Sequence, residues 1–178
     1  FDANITVPSN AVPAGGTFRT RVRHQDSSGR WSHWSAPIEF TATLPDITPY
    51  LDGIVISEIM YHPVGDGNLE FVEIMNIGPG GLDLSPVRFT KGIDFDFAGS
   101  EITSIAAGAR VLVVKNRAAF EAAYGAALPV AGEYQFSTSA SLSNGGERLK
   151  LSFGAGAAIR DFDYDNKSPW PESPAVTS

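Results

Sequence analysis

Ile54-Val-Ile-Ser-Glu-Ile-Met-Tyr-His-Pro63 and the nearby Leu69-Glu-Phe-Val-Glu-Ile-Met-Asn76 decide the fold. Each is a short apolar run broken by single polar residues and followed by glycine or proline. They read as β-strands over about 54–60 and 69–76. Working outward, further strands are expected at about 86–90, 93–97, 101–105, 110–115, 147–153 and 158–164. One helix interrupts them. Asn116 is a good N-cap, Arg117-Ala-Ala-Phe-Glu-Ala-Ala-Tyr124 follows, and Gly125 supplies the stop. Phe120 and Tyr124 then share a face. Ser143-Asn-Gly-Gly-Glu147 reads as a hairpin turn, because Asn-Gly tolerates positive φ. No internal repeat is visible. The expected class is all-β.

Composition sets the outer limits. The 178 residues suffice for one sizeable domain or two small ones. A hydrophobic content of 43% is ordinary for a globular chain. The 18 glycines and 12 prolines are scattered, as suits many short strands joined by turns. No apolar run approaches the roughly 20 residues of a membrane helix, so no membrane span is expected. The net charge of −7 disfavours nucleic-acid partners, whose backbone calls for clustered cations. That charge is uneven. Residues 1–45 set Arg19, Arg21, Arg23 and Arg30 against Asp2, Asp26 and Glu39, for +1, and the remainder carries −8. The absence of cysteine excludes disulfides, thiolate metal sites and a cysteine nucleophile. The chain opens on Phe1 without Met or a signal peptide, which reads as a processed or excised piece of a longer polypeptide.

The series from Ile54 to Pro171 resembles a lamin-tail domain. After the two opening stretches come Asp83-Leu-Ser85, Gly92-Ile-Asp-Phe-Asp-Phe97 and Leu142-Ser-Asn-Gly-Gly-Glu-Arg-Leu149. Their order and wording are similar to the bacterial, secreted branch of that family. The resemblance implies an immunoglobulin-like β-sandwich used for attachment, on a secreted or cell-surface protein. It implies no active site.

A second resemblance lies near the N-terminus. Thr17-Phe-Arg-Thr-Arg-Val-Arg23 alternates with period two and reads as a strand. Gln25-Asp-Ser-Ser-Gly29 is a turn, and Ala36-Pro-Ile-Glu-Phe-Thr-Ala-Thr43 reads as the returning strand. Arg19, Arg21 and Arg23 followed by Trp31-Ser-His-Trp-Ser35 resemble the last hairpin of a fibronectin type III domain of the cytokine-receptor kind. Alternate residues of a strand share a face. Three guanidiniums on one face repel unless indole rings come between them, each stack contributing roughly 0.5–2 kcal/mol. The hydroxyls of Ser32 and Ser35 are expected to bond nearby backbone. The ladder of Arg19, Arg21, Arg23, Trp31, Ser32, Trp34 and Ser35 is then either purely stabilising or a face that binds glycan or protein. The likeness covers only Ile5 to Thr43, against roughly 100 residues in a full domain. So small a remnant is expected to pack on the second domain or another chain, or to be partly disordered. The expected division is therefore a partial fibronectin type III-like module over 1–45, a linker over 46–53, and a lamin-tail-like sandwich over 54–178.

Other residues carry weaker chemical signals. Glu58, Asp66, Glu70 and Glu73, with Asp94 and Asp96, offer hard oxygen ligands that suit calcium. Gly65-Asp-Gly-Asn68 lacks the ligand spacing of a regular calcium loop, so solvated turn and strand carboxylates are the expectation. Glu73 alternates with Phe71 and Met75, so its stem is expected to be partly buried beside a basic side chain. His24, His33 and His62 sit in different segments, and no catalytic or phosphate-cradling motif is present. No catalytic residue, metal ligand or cofactor is assigned. Phe89, Phe95, Phe97, Phe153, Phe162 and Tyr164 are expected in the sandwich core. Trp170 is expected to cover one end of it. The tail from Ser168, with Pro169, Pro171 and Pro174, is expected to lie extended on the surface.

The leading function is non-catalytic attachment, spacing or interaction within a larger bacterial secreted protein. A carbohydrate-binding module using exposed Trp and Tyr is a second reading, and an accessory fragment of a multidomain secreted enzyme a third. The expected partner is a protein or cell-surface component, with a glycan as the alternative. Lamin-tail-like domains usually continue beyond Trp-Pro with a glycine-rich strand, whereas Trp170-Pro171 leads only to Glu172-Ser-Pro-Ala-Val-Thr-Ser178. Open sheet edges recruit strands. The hairpin of 1–45 is therefore expected to self-associate or to fold back onto the second domain.

Overall fold

The computed structural model describes residues 12, 15–43, 45–134, 140–168 and 170. The chain divides into two compact units, 1–46 and 47–178.

In the first unit, β1 (Thr17–Thr20) pairs antiparallel with β2 (Ile38–Thr41), and the rings of Phe18 and Phe40 stack across the pair at 5.8 Å. None of the described residues of this unit is buried. The turn between the arms is built on Asp26. Its Oδ1 accepts from the backbone N–H groups of Ser28 and Arg30 and from the Ser28 hydroxyl. The strand expected over 17–23 stops at Thr20, because beyond it serine hydroxyls replace carbonyl groups as acceptors.

The second unit opens with α1 (Thr48–Gly53). It continues through β3 (Ile54–Met60), a 3₁₀ turn (Gly67–Leu69), β4 (Phe71–Asn76), β5 (Leu82–Asp83) and β6 (Val87–Lys91). Then come β7 (Phe95–Asp96), β8 (Ser104–Ile105), β9 (Arg110–Val114) and α2 (Arg117–Tyr124). It closes with β10 (Val130–Glu133), β11 (Gly146–Phe153) and β12 (Ala157–Asp165). One sheet has the order β10-β9-β4-β3 and the other β12-β11-β6-β7, with β5-β8 as a small separate pair.

The unit is an immunoglobulin-like β-sandwich. Period-two alternation sends Val72 and Ile74 of β4, with Val111 and Val113 of β9, into the space between the sheets. There they meet Val87 and Phe89 of β6 and Leu149 and Leu151 of β11. Phe97 and Tyr164 are buried in the same core, and Phe95, Phe153 and Phe162 pack against it half-buried. The opposite face of β4 and β9 carries Phe71, Leu112 and Val114, which α2 covers with Phe120. Asn116 caps α2 by accepting from the backbone N–H of Ala119 at 2.9 Å, and Gly125 ends it at φ 91°. A side chain at position 146 would come within 2.5 Å of the Tyr164 carbonyl oxygen, so the start of β11 requires glycine.

Several expectations change. The segment 46–53, expected as a linker, carries α1. Pro49 suits a first helical turn, and Tyr50 packs on the core with its ring 4.8 Å from Phe153. The strand β10 lies outside the segments whose sequence reads as strand. It pairs parallel with β9 and lies so close to Phe95 that a Cβ on Gly132 would sit 2.7 Å from that ring. Ser143–Glu147 is no hairpin turn. It leads into β11, which pairs with β12 and β6 while β10 lies in the other sheet. Trp170 stacks on Phe162 of the edge strand β12 at 5.9 Å. The rest of the expected proline tail beyond Ser168, and the segment from Ile5 to Ala11, lie outside the described residues.

Candidate functional site

The hairpin of the first unit brings four of the expected residues into one stack. The Arg23 guanidinium lies 4.1 Å from the Trp31 ring centre and 4.5 Å from that of Trp34, and Arg21 lies 5.3 Å from Trp34. The order along the stack is Trp31, Arg23, Trp34, Arg21. All three distances fall within the range of cation–π attraction. The serines hold the two arms in register. Ser35 Oγ accepts from Val22 N–H at 3.1 Å, and the Ser35 N–H donates to the Val22 carbonyl at 2.9 Å. Ser32 repeats the pair on His24, at 2.9 and 2.8 Å. Each serine thus offers one donor and one acceptor to a single residue of the facing arm, so the three-residue step from Ser32 to Ser35 is matched to the two-residue step from His24 to Val22. Arg19 departs from the expected stack. It lies within β1 opposite Glu39 and pairs with that carboxylate at 2.9 Å. Trp31 and Trp34 remain 52% and 50% exposed, so each indole keeps contact with solvent.

The carboxylates of the second unit separate rather than converge. Asp66 caps the 3₁₀ turn by accepting from Asn68 N–H, and Asp96 accepts from Ala98 N–H. Glu58 and Glu73 face each other across β3 and β4. Glu73 accepts from the Ser57 hydroxyl at 2.7 Å and pairs with Arg110 at 3.1 Å. Burial, and then the charge of Glu73, raise the pKa of Glu58. Among the described residues, no three His, Cys, Asp or Glu side chains gather into a metal-binding group. His24 and His33 belong to the first unit, and His62 follows β3.

Glu70 is the carboxylate whose surroundings are most specific. It is 5% exposed. One oxygen accepts from Lys115 Nζ at 2.9 Å. The other accepts from the Tyr134 hydroxyl at 3.2 Å and from Leu142 N–H at 2.8 Å. A second knot adjoins it. Glu147 Oε1 accepts from Ser143 N–H and from the Tyr164 hydroxyl, which also reaches the Ser143 carbonyl. Burial chiefly, with the nearby Glu70 and Glu147 charges, pushes the hydroxyls of Tyr134 and Tyr164 far above the usual tyrosine range. Both knots tie backbone at 142–143 to the sandwich. Asn76 does the same elsewhere. Fully buried, it donates to the Gly80 and Ile105 carbonyls and accepts from Gly78 N–H. Sequence reasoning missed Lys115, Tyr134 and Asn76 as polar anchors. The signal lies in register: Lys115 N–H donates to the Glu70 carbonyl, so the pair are strand-end neighbours once β4 and β9 are aligned.

These buried polar groups hold backbone and side chains of the chain itself, and none is paired as nucleophile and base. A family model described as Lamin Tail Domain matches residues 49–166. No curated protein and no solved structure matches the chain.

Proposed function

The chain belongs to the lamin tail domain family, and from that premise we propose that it is a non-catalytic attachment, spacing and interaction module of a larger bacterial secreted or cell-surface protein. One observation carries this reading. Glu70, the one buried carboxylate among the described residues, is engaged in structural hydrogen bonds with Lys115, Tyr134 and Leu142. A carboxylate so engaged is poorly placed to move protons for a substrate. The fibronectin type III-like hairpin fits the same role, since such modules act as spacers in long extracellular chains. Fusion to a catalytic domain elsewhere in a longer protein would make this an accessory fragment without changing its own task.

Two measurements test the proposal. The purified chain is expected to hydrolyse no ester, phosphate or glycoside substrate, and a measured activity abolished by one Ser or His substitution would refute this. A fluorescent fusion of the chain is expected to stay with bacterial cell-surface material through washing. Loss of the signal in the wash would remove the attachment reading.

The half-exposed indoles of Trp31 and Trp34 favour a second reading, a carbohydrate-binding face. A glycan array separates the two. Binding lost in Trp31→Ala and Trp34→Ala would support the second reading.

A further inference from the structure

Beside β6 and the start of β11 an open cavity of about 660 Å³ is lined by Arg88, Thr90, Lys91, Asp94, Glu147 and Arg148, among others. Its size falls among small-molecule sites, roughly 300–1,000 Å³. Its charges are not equally committed. Arg148 is held by Asp161 through two hydrogen bonds, at 2.7 and 2.8 Å. Glu147 is held by Ser143 N–H and the Tyr164 hydroxyl. Arg88 and Lys91, both on β6, enter no ion pair among the described residues. The Arg88 Nε–H is buried and has no acceptor among the described residues. A buried donor without a partner costs free energy that an incoming acceptor would recover. Two uncommitted cations in one cavity, on a chain of net charge −7, mark a local preference for an anion.

We propose that this cavity binds the carboxylate of a uronic acid, with Arg88 and Lys91 as its cationic seat. The guanidinium fork matches a planar carboxylate, and the Lys91 ammonium adds a point charge beside it. The remaining lining selects among anions. Asp94 and Glu147 would repel a second negative charge, yet the Glu147 carboxylate, engaged through Oε1, has its second oxygen for a hydroxyl donor. Thr90 adds a hydroxyl, paired at 2.8 Å with that of Ser152. A ligand with one carboxylate and several hydroxyls satisfies this set, and an acidic peptide with clustered carboxylates does not. The source is a free sugar acid or a residue of an acidic polysaccharide. This site lies wholly within the second unit and owes nothing to Trp31 or Trp34.

Calorimetric titration of the whole chain with galacturonate, trigalacturonate, its methyl ester and a glutamate-rich peptide tests the proposal. The trimer is expected to bind, more weakly as salt rises. Its methyl ester, which keeps every hydroxyl and loses the charge, is expected not to bind. Arg88→Gln is expected to weaken binding about ten- to a hundredfold, as for loss of a charge-assisted hydrogen-bonded pair. The exposed Lys91→Gln is expected to weaken it about two- to fivefold. Should Arg88→Gln melt early, Lys91→Gln and the methyl ester decide. Equal affinity for monomer and trimer would support the site and point to free sugar acids; preference for the trimer would support it and point to a polysaccharide. The proposal is overturned by no binding of either uronate, by equal binding of the ester, by affinity unchanged in both variants, or by tighter binding of the peptide. Each of these results leaves the absence of hydrolysis, and so the non-catalytic reading, standing or falling on its own.

Discussion

Arg23 and Lys115 are both cations held at short range, one in the hairpin of the first unit and one at the margin of the sandwich. Arg23 lies between two indoles that are about half-exposed, and no described residue around it is buried. Lys115 meets a carboxylate, and the side chains of the pair are 17% and 6% exposed. The hairpin has too little apolar surface to bury, so flat rings and flat guanidiniums supply its contact area. The sandwich has a large core, so it can hold a desolvated ion pair, provided every lone pair finds a donor. The difference teaches that exposure, more than the type of contact, sets what each cation is worth.

The largest effect is expected from Glu70→Ala. It strands Lys115, the Tyr134 hydroxyl and Leu142 N–H together, and breaking a buried pair costs about 3–5 kcal/mol. Denaturant unfolding followed by far-UV circular dichroism measures it. Replacing both partners, as Glu70→Leu with Lys115→Met, is expected to recover most of the loss. A double variant as unstable as Glu70→Ala would show that the cost lies in the loop tether at Leu142 rather than in the stranded charge.

Alkaline pH gives the next effect. The pKa values of Tyr134 and Tyr164 are raised in the fold above the ordinary value of 10.0. Their contribution is therefore fully present below that value and is lost as pH climbs through it, because only the unfolded chain releases these protons. Stability is expected to fall steadily above about pH 10. Tyr134→Phe is expected to flatten that slope, at the cost of one donor to Glu70. An unchanged slope would remove Tyr134 from the account.

In the hairpin, Arg23→Ala removes two stacks at exposed sites, each of about 0.5–1 kcal/mol. The near-ultraviolet circular dichroism of the indoles is expected to collapse, with a loss of roughly 1–2 kcal/mol in hairpin order. Arg19→Ala, which breaks only the exposed pair with Glu39, is expected to cost less than about 1 kcal/mol and to leave the indole signal intact. A cost for Arg23→Ala equal to that of Glu70→Ala would break the comparison. The smallest effect belongs to Glu58. Its raised pKa means that the fold loses stability as pH rises through the carboxylate range. Glu58→Gln is expected to stabilise slightly at pH 7 and to make no difference below about pH 4. A destabilised variant at pH 7 would reverse the assignment.

Strong local patterns made most of the sandwich legible. Ile54–Met60 and Arg110–Val114 fall where alternation and apolar runs place strands, and α2 falls between its cap and its glycine. The strand β10 escaped because Val130-Ala-Gly-Glu133 has weak propensity and is a strand by virtue of the edge of β9 beside it. The helix α1 escaped because Thr48-Pro-Tyr-Leu-Asp-Gly53 is punctuated as a linker, and packing of Tyr50 against Phe153 outweighs that punctuation. Among the candidate site residues, the Trp-Ser-x-Trp-Ser pattern pointed to the stack, but Arg19 carries the same period as Arg21 and Arg23 and nothing local tells it apart. Its position opposite Glu39 does.

What the sequence alone determined is therefore whatever depends on neighbours a few residues apart: strand and helix periods, the cap at Asn116, the turn at Asp26, the spacing of serines between indoles. What only the tertiary structure decided depends on residues far apart in the chain meeting at a particular register. Glu70 finds Lys115, Tyr134 and Leu142, and Arg88 and Lys91 share a cavity with Glu147 and Arg148. The physical reason is that a carboxylate or guanidinium has the same local signature whether it is solvated, buried and paired, or turned into a cavity. Its energy, and with it its role, is set by desolvation and by partners that the chain supplies only once both sheets are closed.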